Sequence, residues 1–328
     1  MPPVLRLLRP KQWAKNAFVF CPLIFAKGLF DLPLLSRALL AVLVFCLVSS
    51  AIYILNDSID VEEDRRHPTK RLRPLASREI SLAFAGILAA ILLIVGICLS
   101  LLLALPFTAV TACYLALNIA YSLLLKRVPI LDIMCISVGF VLRVLAGVFA
   151  IGCELSPWIL MCTFFLALFI AMQKRHGELI SAQRLEDAAK EQVNGEKNGT
   201  SPEPNASRSD EMLRAEGTAP TGTEPRRPGA LSSRSVLRHY RQGLFTEMIP
   251  VSVALAVTSY SFYTISSASS SYMMITILFV IYGIFRYQML AKALGGVEAP
   301  ENALFSDKPL LINVLLWLCA CGLILYLT

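Results

Sequence analysis

Long apolar stretches alternate with shorter polar segments along the chain. Each stretch holds about 20 residues, the length of a helix that crosses the hydrocarbon core of a bilayer. The nine stretches fall at 17–30, 33–54, 80–103, 106–125, 130–151, 156–173, 245–267, 271–291 and 308–327. The first is the weakest, because Pro22 and Lys27 interrupt it. The pattern predicts an all-α polytopic membrane protein with about nine transmembrane helices.

The composition excludes several classes of protein. The 328 residues are 56% hydrophobic and 16% charged, and the mean hydropathy is +0.64. Soluble domains carry about 25% charged residues. A water-soluble enzyme, a secreted disulfide scaffold and a disordered protein are therefore excluded as descriptions of the whole chain.

Basic residues are distributed unevenly around the apolar stretches. If the N-terminus is cytoplasmic, the cytoplasmic segments and their helix ends carry 27 of the 30 Lys and Arg residues. This bias follows the positive-inside rule. We therefore expect a multi-pass protein of the cell (inner) membrane whose active site faces the cytoplasm. The lipid bilayer is its expected surroundings, no nucleic-acid partner is expected, and the oligomeric state stays open, a homo-oligomer included.

One long polar segment does not fit a membrane bundle. Residues 186–235 are rich in Pro, Gly, Ser, Glu and Arg and have almost no aliphatic content. Such a segment buries too little apolar area to offset the entropy of ordering it. The sequence therefore predicts six transmembrane helices in 1–185, a disordered cytoplasmic insertion in 186–235 and three transmembrane helices in 236–328.

An acidic motif begins where the second apolar stretch ends, with the residues NDSIDVEED from Asn56. If the helix continues, Asp57, Asp60 and Asp64 stand at i, i+3 and i+7 and share one face. Three carboxylates on one face repel each other unless a cation neutralises them. Mg²⁺ suits such a site, because it binds one or two carboxylates and keeps positions for water and substrate phosphates.

A basic run follows the acidic motif directly, with Lys70, Arg71 and Arg73 before Pro74. These side chains can hold phosphate oxygens, and arginine can do so with two parallel hydrogen bonds. Acidic residues followed by basic ones predict a site for Mg²⁺ and a diphosphate. The alternative is a solvated helix end beside a basic loop that binds anionic lipid.

The motif from Asn56 to Pro74 resembles the first aspartate-rich motif of the UbiA-type intramembrane prenyltransferase superfamily. The resemblance covers nearly the whole chain apart from the insertion, and it is strongest to the decaprenyl-phosphate phosphoribosyltransferase branch. The segments that carry it are LRPKQWAKN (8–16), YSLLLKRVPILD (121–132), GFVLRVLAG (139–147), KRHGEL (174–179) and YGIFRY (282–287). It implies a nine-helix bundle with a central, membrane-open cavity.

The resemblance also implies a reaction. Members of that branch transfer 5-phosphoribose from phosphoribosyl diphosphate to a polyprenyl phosphate and release diphosphate, on the way to an arabinose donor for the cell wall. The expected catalytic residues are Asp57, Asp60 and Asp64. Mg²⁺ would be bound by Asp57 and Asp64, with Asp60 and Asn56 helping directly or through water.

The chain departs from the aromatic prenyltransferases at one point. Those enzymes carry a second aspartate-rich motif, where this chain has AMQKRHGEL with Lys174, Arg175 and Glu178. The departure argues against an allylic diphosphate donor and fits a reaction with three phosphate sites. The alternatives are a prenyltransferase that moves a polyprenyl group from its diphosphate to an aromatic acceptor, and a transporter or lipid-binding protein.

A charged residue, Arg143, lies within the fifth apolar stretch, where charge is expensive and marks a functional site by default. Gly139 and Gly147 share its helix face and allow close helix approach, so Arg143 should point into the bundle and bind phosphate. The other candidate substrate-binding residues are Lys15, Asn16, Asn56, Lys70, Arg73, Tyr121, Lys126, Asp132, Lys174 and Arg175. Their alternative roles are anchoring at the membrane interface and ordinary cytoplasmic positive charge.

Overall fold

The computed structural model describes residues 2–66, 70–154, 156–197, 240, 242–266, 270–293 and 307–327. The helices in these ranges are α1 (Pro3–Leu8), α2 (Cys21–Phe25), α3 (Leu32–Ile59), α4 (Val61–Arg66), α5 (Leu82–Leu101), α6 (Leu105–Leu123), α7 (Leu131–Ile151), α8 (Pro157–Lys197), α9 (Gln242–Ser266), α10 (Ile277–Ala293) and α11 (Lys308–Leu327). Shorter 3₁₀ segments cover Pro10–Phe20, Lys70–Leu72, Leu125–Arg127 and Ser271–Thr276. Within the described ranges there is no β-strand, so the all-α prediction is confirmed.

Eight helical segments in the described ranges are long and apolar enough to cross a bilayer. They correspond to eight of the nine predicted stretches and confirm a polytopic membrane protein. The stretch at 17–30 differs, because it forms the end of a 3₁₀ segment and the five-residue helix α2. Pro22 stands at the start of α2, and Lys27 takes a left-handed φ of 57° just after it, so one continuous helix cannot form.

This N-terminal segment packs directly against α7. A Cβ atom added to Gly147 would collide with the carbonyl oxygen of Val19 and would lie 3.0 Å from the ring of Pro22. Only glycine permits this approach without a shift of the backbone. The expected close packing at Gly147 is therefore present.

The helix α3 is the most buried span of the first half. Val44, Phe45 and Val48 on α3 pack with Phe107 and Tyr114 of α6, and the rings of Phe45 and Tyr114 lie 5.1 Å apart. By contrast, most of α5 faces outward, as expected for a helix in contact with lipid. The bundle thus fixes α3 rigidly, and the acidic motif lies at its C-terminal end.

The helix α8 continues without a break to Lys197, beyond the predicted boundary at residue 185. Residues 186–193 read EDAAKEQV, and Ala, Glu, Lys and Gln are strong helix formers. Helix propensity therefore extends the helix where apolar content ends. The rest of the predicted insertion, 198–235, lies outside the described residues.

Candidate active site

The acidic motif spans the junction between α3 and α4. The first helix ends at Ile59, and the second begins at Val61. Two backbone hydrogen bonds, from Asp60 N to Asn56 O (3.0 Å) and from Asp64 N to Asp60 O (2.8 Å), carry the helical pattern across the junction. The helix is interrupted only at Asp60, which has φ −90° and ψ 7°, and the residues on either side keep nearly helical positions.

Asp57 and Asp64 converge on one cationic nitrogen. Arg73 Nη1 donates a hydrogen bond to Asp57 Oδ1 at 3.0 Å and another to Asp64 Oδ2 at 2.6 Å. Arg9 also pairs with Asp57 Oδ1. Both carboxylates are buried. One carboxylate oxygen from α3 and one from α4 therefore lie on either side of the same arginine nitrogen, Arg73 Nη1.

An apolar cluster brings these charged groups together. Leu7 of α1, Ile54 of α3, Val61 of α4 and the buried Leu75 pack with Ile80. Burial of these side chains holds the N-terminal segment and the loop 70–80 against the end of α3. The two arginines, one before and one after the acidic motif in sequence, can then reach the same carboxylates.

Asp60 faces a different partner. Its Oδ1 accepts a hydrogen bond from Lys126 Nζ at 2.6 Å, and its Oδ2 accepts one from Asn56 Nδ2 at 3.2 Å. Lys126 lies in the turn between α6 and α7, so this ion pair joins that turn to the acidic motif.

The residues that the structure describes contain no group of three or more His, Cys, Asp or Glu side chains arranged to hold a metal ion. The expectation that Asp57 and Asp64 bind Mg²⁺, with Asp60 and Asn56 helping directly or through water, stays a prediction. Asp57 and Asp64 share a point, whereas Asp60 and Asn56 pair with each other and with Lys126.

The pair of carboxylates still fits Mg²⁺. This ion takes one or two protein carboxylates and fills its other positions with water and substrate phosphate oxygens. Asp57 and Asp64 present one oxygen each to a point where a cationic group already sits. The donor set therefore suits a magnesium–diphosphate unit better than an ion enclosed by protein alone.

A second charged cluster lies where α6 ends, α7 begins and α8 leaves the membrane span. Arg175 Nε donates to Asp132 Oδ2 at 2.7 Å, and its two terminal nitrogens donate to Glu178 (2.7 Å) and Tyr121 (3.2 Å). Tyr240 donates to the other oxygen of Asp132 at 2.6 Å. Burial and this hydrogen bond raise the pKa of Tyr240, so the phenol stays a donor.

Asp132 and Arg175 therefore form a buried ion pair. The side chain of Asp132 is fully buried, and that of Arg175 is 2% exposed. Both oxygens of the aspartate and all three nitrogens of the arginine are engaged. The structure supports a clamp between α7 and α8, and a substrate contact for Tyr121, Asp132 and Arg175 stays a prediction.

Arg143 is buried in the bundle, as expected from its glycine neighbours. Its three nitrogens donate to Asn16 Oδ1 (3.0 Å), Gly139 O (2.9 Å) and Tyr114 OH (2.7 Å). Asn16 donates in turn to Ser49 on α3, at 3.2 Å. All of these partners of Arg143 are uncharged.

The depth of Arg143 separates it from the acidic motif. Ser49 precedes Asp57 by eight residues on α3, which is about 12 Å along the helix axis. Because Asn16 links Arg143 to the level of Ser49, the guanidinium lies deeper in the bundle than the carboxylates. A phosphate held by Arg143 would therefore be a different one from that held at Asp57, and this contact stays a prediction.

The remaining candidates are lysines near the same end of the bundle. Lys15 Nζ donates to Gln12 Oε1 at 2.5 Å. Lys70 opens the 3₁₀ turn, and its carbonyl oxygen accepts the backbone N–H of Arg73 at 2.9 Å. Lys174 is half-buried on α8. Their phosphate contacts stay predictions.

Sequence reasoning missed several residues that the structure brings to these clusters. Arg9 stands in the LRPKQWAKN segment, and its left-handed φ of 53° ends α1 and turns the chain toward Asp57. Tyr114 and Tyr240 gave no signal, since Tyr114 lies in the middle of an apolar stretch and Tyr240 lies near the start of another, where a tyrosine is typical of an interface anchor. Arg9 gave no signal either, because it lies 48 residues before Asp57 in sequence.

Comparison with known proteins now places the chain. The UbiA prenyltransferase family matches residues 17–186, which is more than half of the chain, so the chain belongs to this family. A UbiA homolog from Archaeoglobus fulgidus, bound to GPP and Mg²⁺, superposes with a TM-score of 0.63 at 18% identity over 99% of both chains. Digeranylgeranylglyceryl phosphate synthase superposes with a TM-score of 0.58 at 19% identity over 100% of both chains. The expected fold is therefore confirmed.

Within this family, the chain is similar in sequence to proteins named decaprenyl-phosphate phosphoribosyltransferase. The chain is 40% identical over 185 residues to the decaprenyl-phosphate phosphoribosyltransferase of Corynebacterium glutamicum, covering 55% of this chain and 56% of the relative. It is 38% identical over 185 residues to the protein of the same name from Mycolicibacterium smegmatis, covering 55% of this chain and 58% of that relative. The chain thus spans little more than half the length of these relatives.

Proposed function

We propose that the chain transfers 5-phosphoribose from phosphoribosyl diphosphate to a polyprenyl phosphate of the decaprenyl type. The bond between C1 of the ribose and the diphosphate oxygen breaks, and a bond from C1 to an oxygen of the lipid phosphate forms. Diphosphate leaves with its electron pair. The observation that carries this proposal is the convergence of Asp57 and Asp64 on one cationic point beside Arg9 and Arg73.

The residues of the site have separable roles in this proposal. Asp57 and Asp64 would hold Mg²⁺, which supplies a Lewis acid and a template for the leaving diphosphate when it is bound. Arg73 and Arg9 then turn from the carboxylates to the diphosphate oxygens, where guanidinium groups bind well. The lipid phosphate is already an anion, so its attack requires no general base. Lys126, next to Asp60, lies where it can hold another phosphate.

The charge pattern of the chain supports a donor with several phosphates. On α8, where aromatic prenyltransferases carry a second aspartate-rich motif, this chain has Lys174 and Arg175. The named phosphoribosyltransferases among the relatives support the same choice. We place the site on the cytoplasmic face, since the basic segments lie at the same end of the bundle, and the product feeds cell-wall arabinose donors in this proposal.

The test is a direct assay of product. Purified chain in nanodiscs receives Mg²⁺, polyprenyl phosphate and phosphoribosyl diphosphate labelled in the ribose ring. We expect label in the lipid extract, and none when Mg²⁺ is chelated. Label that stays in the aqueous phase would oppose the proposal. A parallel assay supplies a labelled polyprenyl diphosphate and 4-hydroxybenzoate, an aromatic acid. Transfer of the polyprenyl group to the acid there would favour the prenyltransferase alternative instead.

A further inference from the structure

A cavity of about 290 Å³ lies between α8, α9 and α10. The spans alternate in direction, so the end of α8, the start of α9 and the end of α10 meet at the same end of the bundle as the acidic motif. The polar side chains that line it are Gln173, His176, Arg184, Thr246, Gln288 and Lys292. None of them takes part in the acidic cluster or in the Asp132–Arg175 clamp.

The cavity is electropositive. Its lining includes Arg184, Lys292 and His176, and within the described ranges no carboxylate-bearing residue lines it. The cationic groups come from two helices that are far apart in sequence. A cavity with this lining attracts an anion, because field lines concentrate in a concave site with low-dielectric walls.

A buried donor without a partner points to the same conclusion. Gln173 is 4% exposed and lines the cavity. Among the described residues, its amide nitrogen Nε2 has no hydrogen-bond partner. A buried polar group in this state costs free energy, and a ligand acceptor in the cavity would remove that cost.

The cavity occupies its own face of α8. Gln173, His176, Gly177 and Ile180 follow the spacing of one helix face, whereas Arg175 points to the other side and reaches Asp132. The cavity is therefore distinct from the clamp, although the two are one residue apart in sequence.

We propose that this cavity is a second anion site and that it binds a phosphate monoester group. Phosphate offers several acceptor oxygens in a tetrahedral arrangement, and it matches donors that arrive from different helices better than a planar carboxylate does. The apolar part of the lining, Ile180, Ile249 and Ala291, leaves room for a hydrocarbon or sugar attached to the phosphate. The phosphate belongs either to a lipid headgroup or to a small soluble molecule.

Calorimetry on the full chain in a phosphate-free detergent tests this proposal. The probes are inorganic phosphate and farnesyl phosphate, with farnesol as the uncharged control, and no divalent cation is present. We expect Arg184→Glu and Lys292→Glu to weaken binding by about tenfold or more, the scale of one charge-assisted hydrogen bond. Arg127→Glu is the matched control, because Arg127 is an exposed cation at the same end of the bundle that does not line the cavity.

The variant Gln173→Met separates ligand binding from folding. Its side chain has a similar length but no amide, so phosphate binding should weaken, and the protein should unfold no more easily than the wild type. Binding of inorganic phosphate assigns the site to a soluble phosphate, and binding of farnesyl phosphate alone assigns it to a lipid headgroup. The proposal is overturned if the wild type binds neither probe, or if both charge reversals bind as the wild type does. The assay needs no turnover, so it stands apart from the proposed transferase activity.

Discussion

Two aspartate–arginine clusters lie at the same end of this bundle, and they differ in how far water reaches them. In the acidic cluster, the side chains of Arg9 and Arg73 are 24% and 29% exposed. In the clamp, the side chain of Arg175 is 2% exposed and its partner Asp132 is fully buried. The arginine side chains are therefore reachable from solvent in the acidic cluster and buried in the clamp.

The difference decides what each cluster can do. A partly exposed arginine can be solvated at small cost when another cation takes its place at the buried carboxylate, so the acidic cluster can exchange one cation for another. A buried pair cannot, because the loss of either partner leaves an uncompensated charge in a low-dielectric interior. We therefore assign exchange of ligands to the acidic cluster and mechanical support to the clamp.

The largest expected effect is on catalysis, at Asp57. We expect Asp57→Asn to lower turnover by more than about hundredfold, because it removes one of the two converging carboxylates. Loss of a residue that only supports a metal ligand costs about 10–100-fold, and loss of the ligand itself should cost more. The measurement is the labelled-lipid assay at saturating donor. Asp60→Asn is the matched control, with a loss of about tenfold, since Asp60 pairs with Lys126 instead. An equal loss in both variants would contradict the separation of the two carboxylates.

Stability should show the opposite ranking. We expect Asp132→Asn to destabilise the protein by about 3–5 kcal/mol, because it removes one partner of a buried ion pair and leaves Glu178 as the remaining carboxylate partner of Arg175. The same change at Asp57 should cost about 1 kcal/mol or less, since water can reach both of its arginines. Thermal unfolding in detergent, followed by loss of helical circular dichroism, measures both. Similar melting temperatures for the two variants would show that exposure does not distinguish the clusters.

A smaller effect is expected at the glycine that seats α7, the helix that carries both Asp132 and Arg143. Gly147→Ala places a methyl group against the carbonyl oxygen of Val19, so we expect a loss of about 1–3 kcal/mol from overpacking. Gly86→Ala on α5 is the control, because no atom lies within 4 Å of the added carbon and helix propensity favours alanine. Melting temperatures should fall for the first and stay or rise for the second. The reverse order would mean that α7 can move.

The smallest effect concerns a third pair, in which Arg286 of α10 donates two hydrogen bonds to Asp307 before α11, at 3.1 and 2.7 Å. These bonds hold the pKa of Asp307 below its usual value. The pair therefore stabilises the fold above the ordinary aspartate pKa of about 3.9, and this stability is lost as pH falls through the lowered value. The melting temperature of the wild type should fall more steeply below about pH 4 than that of Asp307→Asn. Parallel curves would remove this contribution.

Much of the fold follows from the apolar pattern alone. Eight of the nine stretches became spans because about 20 apolar residues have no other stable arrangement in a bilayer. The exception is 17–30, where Pro22 and Lys27 interrupt the stretch. Whether such a stretch still forms a spanning helix depends on its packing against α7, which the apolar pattern does not show. The extension of α8 beyond residue 185 was missed because hydrophobicity ends before helix propensity does.

The candidate site was only partly predictable. The spacing of the motif predicted that Asp57 and Asp64 share one face. The free-energy cost of a charge in a membrane predicted that Arg143 points into the bundle. The separate pairing of Asp60 was not predicted, because its partner Lys126 lies 66 residues away in sequence. The partners Arg9 and Tyr240 are distant in sequence, and only the packed bundle brings them to the aspartates.

The length of α8 has a consequence for whatever follows it. The apolar span ends near Arg184, and the helix continues to Lys197, which adds about 20 Å at 1.5 Å per residue. The end of α8 at Lys197 therefore lies beyond the lipid headgroups, well outside the hydrocarbon core.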